Sequence, residues 1–292
     1  NTEKMLISKK DKFAVTYKDV KYTYEQLLRY SQCYANVFAS EKSPEKVLIC
    51  AQNSPEWCFA FYGAMRCEAI VIPLDAQSTK KEIEYVINDC RPDIVFVSDD
   101  KKEMFSDLEL QGARLMTKDD VLLSDDDNIP ATDIPLRGKD DVMLINYTSG
   151  TTGNPKGVML TFNNVMFNVD SVSKQVPIFQ PDSNVMVLLP LHHILPLLGR
   201  LVAPLYMGGT LHIAEAMNAE SIIKTLNAGK VSIIIGVPRL YDMLVKGIMN
   251  KINASFVTRL LYKIRKLIGS DKVSRIVSSS VHKKFGGHLK YL

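Results

Sequence analysis

The sequence of 292 residues lacks any apolar run long enough to cross a bilayer. Its most apolar stretch, Val185–Met207, is interrupted by prolines, histidines and an arginine, whereas a spanning helix needs about 20 consecutive apolar residues. The first twelve residues are polar, include four lysines and do not resemble a secretory signal. We therefore expect no membrane-spanning segment and a cytoplasmic location.

The sequence also lacks a cysteine framework. None of its five cysteines has the C-x-x-C spacing of a metal or redox site. They are Cys33, Cys50, Cys58, Cys67 and Cys90, and the nearest histidine in sequence is His192. An odd number of cysteines without such spacing predicts reduced, buried and inert thiols rather than a catalytic cysteine or a resident metal site.

Charge is distributed unevenly along the chain. The total of 36 basic and 32 acidic side chains gives a net charge of +4. From Arg239 to the last residue there are 12 basic and two acidic side chains, a net charge of +10, so the preceding residues carry −6. A basic segment of this kind favours contact with phosphates, anionic lipid or an acidic protein surface. We expect no nucleic-acid partner.

Short apolar runs alternate with amphipathic segments along the chain. The predicted strands are Val47–Ala51, Ala69–Leu74, Asp93–Ser98, Val142–Tyr147, Asn184–Leu189, Thr210–Ala214 and Val231–Gly236. The predicted helices are Glu56–Cys67, Thr79–Cys90 with Ser78 or Thr79 as N-cap, Phe162–Gln175, Leu195–Tyr206, Glu220–Ala228 and one that Pro238 opens. Continuous apolar strands separated by helices predict an α/β fold with a largely parallel sheet covered on both faces.

One segment breaks this alternation. Ser124–Asp141 contains three consecutive aspartates and two prolines, and it has no periodic apolar positions. This composition predicts a surface linker. We therefore divide the chain into a first α/β lobe at residues 1–123, a linker at 124–141 and a second α/β lobe at 142–292.

The segment Tyr147–Val158 (YTSGTTGNPKGV) carries the most specific chemistry of the chain. Its glycines let backbone N–H groups turn toward an anion, its hydroxyls donate hydrogen bonds, and Lys156 adds a positive charge. The order differs from the P-loop pattern, because Gly157 rather than Ser or Thr follows the lysine, and the G-x-G-x-x-G pattern is absent. The segment therefore predicts a polyphosphate-binding loop of another kind.

These residues resemble the phosphate-loop motif of the adenylate-forming superfamily, which includes acyl-CoA synthetases, luciferases and peptide-synthetase adenylation domains. Tyr147–Gly157 match that motif without a gap. Val47–Asp99 is similar to the family's N-terminal α/β unit, and LPLHH at Leu189–His193 fits its P-L-x-H motif. GVPRLYDML at Gly236–Leu244 resembles the long-chain fatty acyl-CoA synthetases. The likeness covers nearly the whole chain and is weakest over Leu108–Arg137.

The resemblance implies two stacked, largely parallel sheets flanked by helices and a two-step ligase reaction. A carboxylate attacks the α-phosphate of ATP to give an acyl-adenylate and pyrophosphate, and the thiol of coenzyme A then displaces AMP. Mg²⁺ is expected on the phosphate oxygens. His193 is implied to lie near the carboxylate and to gate acyl or thiol access. The residues implied to hold the phosphates are Thr148, Ser149, Gly150, Thr151, Thr152, Gly153 and Lys156.

Later motifs of the same superfamily are missing from the sequence, which contains neither Y-G-x-T-E nor S/T-G-D. We therefore expect the chain to be the N-terminal part of a fatty acyl-CoA synthetase without its C-terminal domain, and expect these residues alone to form no acyl-adenylate. Two alternatives remain open. One is a ligase for another carboxylic acid, such as an aromatic acid or an amino acid, and the other is a non-catalytic nucleotide- or partner-binding module.

Two further features permit two interpretations each. Ser255–Ile268 is a basic amphipathic helix, which predicts either a helix packed on the core or peripheral contact with a membrane surface. His192 and His193 are adjacent, so on a regular element their side chains point in different directions and make a poor metal pair. A lone histidine in an apolar stretch is usually structural, and only His193 is favoured as functional, through its motif. His212, His282 and His288 have no such support.

Overall fold

A computed structural model describes residues 10–129, 137–148, 154–175, 178–236, 240 and 286–291. The strands are β1 (Phe13–Tyr17), β2 (Val20–Thr23), β3 (Lys46–Cys50), β4 (Ile70–Pro73), β5 (Ile94–Val97), β6 (Arg114–Met116), β7 (Val142–Thr148), β8 (Lys156–Thr161), β9 (Asn184–Val187), β10 (Thr210–Ile213) and β11 (Ile233–Ile234). The helices are α1 (Tyr24–Phe38), α2 (Pro55–Arg66), α3 (Lys80–Cys90), α4 (Lys102–Ser106), α5 (Phe162–Asp170), α6 (Ile194–Leu197), α7 (Ala203–Tyr206) and α8 (Ala219–Ala228). Wider π-helical turns extend α5 over Ser171–Gln175 and join α6 to α7 over Leu198–Val202.

The strands form two sheets. Sheet A has the order β11-β9-β10-β1-β2, and sheet B has the order β6-β5-β3-β4-β7-β8. Neighbouring strands are parallel except for the pairs β1–β2 and β7–β8, which are antiparallel. The α/β class with two largely parallel sheets is confirmed. Each sheet contains strands from both sides of the segment at 124–141, so the sheets do not follow the predicted lobes.

The central strands of sheet B are buried on both faces because their side chains alternate between two apolar layers. Val47 and Ile49 in β3 belong to the core between the sheets, together with Val185 and Val187 of sheet A. Leu48 and Cys50 of the same strand belong to the layer that α3 and α4 cover. Two-sided burial explains why these strands are continuous apolar runs in the sequence. On the outer face of sheet A, α8 covers a smaller apolar layer.

Helix α2 forms the centre of the core between the two sheets. Its Trp57, Phe59 and Phe61 are no more than 1% exposed, and the helix contacts β1 in sheet A as well as β3 and β4 in sheet B. Helix α1 packs tightly against it at Gly63, where an added Cβ would lie 2.6 Å from the Cβ of Tyr34. A side chain at position 63 would therefore push the two helices apart.

Local sequence signals fix where the helices begin. Thr79 caps α3 through a reciprocal capping box with Glu82, which confirms one of the two predicted N-caps. Hydrogen bonds from the Thr79 backbone and side chain lower the pKa of Glu82. Ser54 caps α2, with Pro55 at the first helical position, where its missing N–H costs nothing.

The predicted elements that lie in the described residues are found, with ends shifted by up to two residues when the π-helical turns are counted with the helices. The strand predicted at Val231–Gly236 is reduced to β11, and the helix predicted to begin at Pro238 lies outside the described residues. Strands β1, β2, β6 and β8 and helices α1 and α4 were not predicted. Residues 124–129 form neither helix nor strand and are held by Arg29, whose guanidinium donates to the carbonyl of Asp126 and pairs with Asp127 at 2.6 Å.

The cysteines match the prediction of inert thiols. All five are free, and four of them are buried. Burial raises the pKa of Cys50 to about 12 and that of Cys90 to about 11, so the reactive thiolate is disfavoured. Among the helices of the described residues, none combines the length and hydrophobicity that a membrane span requires.

Candidate functional site

The predicted phosphate loop connects the antiparallel strands β7 and β8. Thr148 is the last residue of β7 and Lys156 the first residue of β8, and the two are cross-strand partners with exposed side chains. Residues 149–153, which include the predicted Ser149, Gly150, Thr151, Thr152 and Gly153, lie outside the described part of the chain. The antiparallel strands β7 and β8 form a β-hairpin, and Lys156 stands at the start of β8.

Close packing fixes the base of this hairpin. Gly157 pairs with Tyr147, and a Cβ at position 157 would lie 2.8 Å from Cγ2 of Ile145 and 3.1 Å from Cζ of Tyr147. The Tyr147 hydroxyl donates to the carboxylate of Asp89 near the end of α3 at 2.5 Å. Burial, together with this hydrogen bond, raises the pKa of Tyr147, so the phenol remains a donor. Glycine at 157 thus lets the tyrosine ring lie across the hairpin.

The predicted P-L-x-H motif lies in a turn that follows β9. The side chain of Asn53 donates to the carbonyl of Leu189 at 3.0 Å and accepts from the backbone N–H of Leu191 at 3.0 Å. The side chain of Asn146, which is buried, donates to the carbonyl of His192 at 2.7 Å. Three hydrogen bonds from two asparagines therefore hold the backbone of this turn, which we call the histidine turn (residues 189–193).

Strand β7 connects the two predicted motifs. It contributes Asn146 to the histidine turn and, two residues later, Thr148 to the hairpin base. Strands β3, β4 and β9 also direct their carboxyl ends to this region, through Asn53, Asp75 and the turn itself. Ligands of open α/β sheets bind at the carboxyl ends of the strands. The hairpin of β7 and β8, which we call the phosphate hairpin after the motif that it carries, and the histidine turn therefore belong to one candidate site.

The two adjacent histidines contact each other, which corrects the prediction that their side chains point in different directions. Their Nε2 atoms are 3.1 Å apart and their ring centroids 4.0 Å apart. The prediction assumed a regular element, whereas both residues lie in a turn where successive side chains can converge. The side chain of His192 is 11% exposed, and its Nε2 lies 3.6 Å from Oδ2 of Asp75. His193 is exposed.

Burial dominates the electrostatics of His192. The pKa of this histidine is lowered to about 4, because burial outweighs the opposing effect of the Asp75 carboxylate and His193 adds a smaller lowering. His192 is therefore neutral at neutral pH. Among the described residues, no group of three histidine, cysteine, aspartate or glutamate side chains is placed to hold a metal ion.

Sequence reasoning missed three side chains of the site: Asn53, Asp75 and Asn146. Asn53 and Asp75 follow the apolar strands β3 and β4 by two or three residues, which is the position of ligand-binding side chains in parallel sheets. This signal was present in the sequence. Asn146 interrupts an apolar strand, and only the fold reveals that its partner is a backbone carbonyl 46 residues away.

An apolar cleft of about 250 Å³ begins directly after His193. It lies between α5 and the helical segment formed by α6, the π-helical turn and α7. The side chains of Val165 and Val169 line it on one side, those of Ile194 and Leu198 on the other, and Leu160 of β8 completes it. The cleft is therefore lined by the residue that follows His193 in the sequence and by one residue of strand β8.

Other predicted features fall elsewhere. His212 is buried in sheet A, and His288 is exposed. The amphipathic helix predicted at 255–268, His282 and most of the basic segment that begins at Arg239 lie outside the described residues. So does most of the segment 236–244 that resembles the long-chain enzymes.

Known proteins similar to this chain include several acid–CoA ligases. A feruloyl-CoA synthase from Amycolatopsis sp is 28% identical over 223 residues, which cover 75% of this chain and 44% of that protein. A mitochondrial malonate–CoA ligase from Bos taurus is 25% identical, over 91% of this chain and 45% of its own length. A long-chain-fatty-acid–CoA ligase from Homo sapiens is 28% identical, over 74% and 37%. The chain thus spans less than half the length of these relatives.

A solved structure is likewise similar to most of this chain, which again covers about half of the other protein. Apo MatB from Rhodopseudomonas palustris superimposes with a TM-score of 0.70 at 25% identity, covering 81% of this chain and 48% of MatB. The family model described as AMP-binding enzyme matches residues 5–291. The chain therefore belongs to the AMP-binding enzyme family and corresponds to its N-terminal region.

Proposed function

We propose that the protein containing this chain is an ATP-dependent acid–thiol ligase. It activates a carboxylic acid as an acyl-adenylate with release of pyrophosphate and transfers the acyl group to the thiol of coenzyme A with release of AMP. The observation that carries the proposal is the hydrogen bond from Asn146 to the carbonyl of His192. Through it, one strand connects a polyphosphate-binding hairpin to a histidine beside an apolar cleft.

The hairpin base suits a polyphosphate. Thr148 offers a hydroxyl and Lys156 an ammonium group, both exposed and opposite each other on paired strands. Lysine acts on phosphate as a compact point charge, able to follow a group that departs. In this proposal the loop residues 149–153 supply further backbone and hydroxyl donors, and Mg²⁺ takes most of its ligands from the substrate phosphates and water.

We infer that His193 lies near the carboxylate of the acid and that the apolar cleft receives the beginning of its hydrocarbon part. The cleft is lined mainly by aliphatic side chains, together with Asn164 and Asn168, and Ile194 in its lining directly follows His193 in the sequence. Burial of apolar substrate surface there contributes roughly 25 cal/mol per Å². This lining, with the long-chain-like segment at 236–244, favours a fatty acid over a small dicarboxylic acid.

A panel of acids tests the proposal. ATP–pyrophosphate exchange is measured with the intact protein, expressed from its complete reading frame, and with acids from acetate to palmitate, malonate and ferulate. We expect Mg²⁺-dependent exchange that is fastest with a long-chain fatty acid. Fastest exchange with ferulate or malonate would mean that the substrate is another carboxylic acid and not a fatty acid. The names of two relatives favour these two acids. Absence of exchange with every acid contradicts the ligase and supports a non-catalytic nucleotide-binding module.

Peripheral membrane contact through residues 255–268 stays a prediction, because those residues lie outside the described part of the chain. Flotation of the intact protein with anionic vesicles at low salt tests it. Binding that charge-reversal variants at Lys263 and Arg265 abolish supports membrane contact. No binding at low salt means that this helix serves the protein core instead.

A further inference from the structure

The contact between His192 and His193 requires an unequal sharing of protons. Two imidazole nitrogens at 3.1 Å form one hydrogen bond, in which one ring donates and the other accepts. The asparagine contacts to Leu189, Leu191 and the carbonyl of His192 hold the backbone on which both rings stand. The pair is therefore a fixed feature of the histidine turn. Which ring donates in its hydrogen bond depends on the charged groups around the two rings.

The carboxylate of Asp75 lies close enough to influence that direction. Its Oδ2 lies 3.6 Å from the same Nε2 of His192 that meets His193. A carboxylate favours the positive end of an N–H dipole and disfavours an imidazole lone pair at this distance. The other carboxylate oxygen, Oδ1, accepts from the backbone N–H of Gln77 at 2.8 Å, which orients the Asp75 side chain. This arrangement favours a proton on Nε2 of His192, with His192 as the donor of the pair.

We infer that Asp75 and His192 are positioning residues that fix the tautomer of His193, holding the proton of its neutral imidazole on Nδ1. His193 accepts at Nε2 from His192, so a neutral ring carries its only proton on the other nitrogen. The exposed His193 then presents a hydrogen-bond donor to the acid carboxylate or to the adenylate. This role rests on the proposed function, whereas the tautomer itself does not.

The first test is spectroscopic and needs no turnover. Nitrogen-15 spectra of histidine-labelled intact protein distinguish Nδ1–H from Nε2–H tautomers, and His193→Gln identifies the signals of His193. We expect the Nδ1–H form in the wild type and a mixture or the Nε2–H form in Asp75→Asn and in His192→Phe. His192→Gln, which keeps an N–H donor, is expected to restore part of the Nδ1–H signal. An Nε2–H tautomer of His193 in the wild type overturns the inference.

The second test is kinetic. Asp75→Asn and His192→Phe are expected to lower kcat of acid-dependent pyrophosphate exchange on the order of tenfold, less than the hundredfold or more that loss of one direct donor costs. The KM for ATP should remain unchanged, because the phosphate hairpin is intact. Asp107→Asn, at the exposed end of α4, is the matched control with wild-type rates. Equal kcat values in all four proteins contradict the positioning role.

The two tests separate this inference from the proposed function. If no acid supports exchange but the His193 tautomer changes in Asp75→Asn, the ligase proposal fails and the tautomer assignment stands. If exchange is active but the spectra of wild type and Asp75→Asn are identical, the ligase stands and the inference fails. Circular dichroism of each variant verifies that the fold is intact.

Discussion

Two histidine environments in this chain differ in how completely their rings are bonded. His212 in strand β10 contacts Oγ1 of Thr16 through Nδ1 at 2.7 Å and Oδ1 of Asn184 through Nε2 at 3.0 Å. Because the asparagine oxygen can only accept, Nε2 carries the proton and Nδ1 accepts from the threonine. His212 is therefore fully bonded within sheet A.

The histidine turn is different. His192 and His193 bond to each other, and among the described residues the other ring nitrogen of the exposed His193 has no hydrogen-bond partner. Saturated hydrogen bonding in a buried position indicates a structural histidine, whereas a half-bonded histidine at the carboxyl ends of parallel strands indicates a site. The comparison predicts that changes around His212 alter stability and that changes in the site alter activity.

The largest expected effect concerns the hairpin base. Lys156→Ala should lower ATP–pyrophosphate exchange of the intact protein on the order of a hundredfold or more, because the proposed charged donor to the phosphates is lost. Stability should change by less than about 0.5 kcal/mol, since the side chain is exposed. Lys80→Ala, at the exposed start of α3, is the control. A large decrease in the free energy of unfolding without a loss of exchange would mean that Lys156 supports stability, as His212 does, and not activity.

The second prediction concerns His212. His212→Ala should lower the free energy of unfolding by about 3 kcal/mol, because it leaves a cavity and deprives the side chains of Thr16 and Asn184 of their partner. Exchange per folded molecule should be unchanged. Chemical denaturation measures the stability, and His288→Ala serves as an exposed control with an effect below about 0.5 kcal/mol. A stable His212→Ala protein with impaired exchange would remove the distinction between the two environments.

The third prediction concerns acid. Burial and, to a smaller extent, Lys21 lower the pKa of His212 to about 4, below the ordinary value of 6.5. Between pH 6.5 and 4, His212 is therefore protonated in the unfolded chain but remains neutral in the folded chain. The free energy of unfolding decreases as the pH falls through this interval. The contribution approaches ~1.4 kcal/mol per pH unit.

His212→Gln tests this contribution, because the amide can bond to Thr16 and Asn184 but does not titrate. Unfolding free energies between pH 6.5 and 5 should fall less steeply in the variant than in the wild type. Most carboxylates titrate below this interval, so they do not obscure the difference. Equal slopes would show that His212 takes up its proton in the folded protein as readily as in the unfolded chain.

The smallest expected effect concerns the hydrogen bond from the Tyr147 hydroxyl to the carboxylate of Asp89. Tyr147→Phe removes one hydroxyl and should lower the free energy of unfolding by about 1 kcal/mol. A double-mutant cycle with Asp89→Ala, which removes the acceptor, isolates the coupling of the pair, which should account for most of that loss. A coupling energy near zero would mean that packing against Gly157 alone holds the hairpin base.

Much of sheet B could be predicted because strands that are buried on both faces consist of continuous apolar residues. Ile70–Pro73 and Ile94–Val97 are examples. Strand β8 was missed because it lies at the sheet edge and is largely exposed, so hydrogen bonding to β7 rather than burial maintains it. The assignment of β1 and β2 to the same sheet as β9–β11 depends on contacts nearly 200 residues apart, which local pattern cannot report.

The site was predictable only in part for the same reason. Lys156 and His193 belong to sequence motifs, so a single segment identified each of them. The contact between His192 and His193 depends on a turn that Asn53 and Asn146 hold from distant strands. Asp75 gains its significance from its 3.6 Å separation from His192, which is a property of the folded chain.

The measurement that tests the central claim most directly is acid-dependent pyrophosphate exchange in wild type and in Asn146→Ala. The claim is that strand β7 joins the phosphate hairpin and the histidine turn into one activating site. We predict exchange in the wild type and an exchange rate about tenfold lower in the variant. The free energy of unfolding of the variant should fall by only roughly 1 kcal/mol, the contribution of one hydrogen bond, so the variant remains folded. Wild-type exchange rates in a folded Asn146→Ala protein, or no exchange with any acid in the wild type, would contradict the claim.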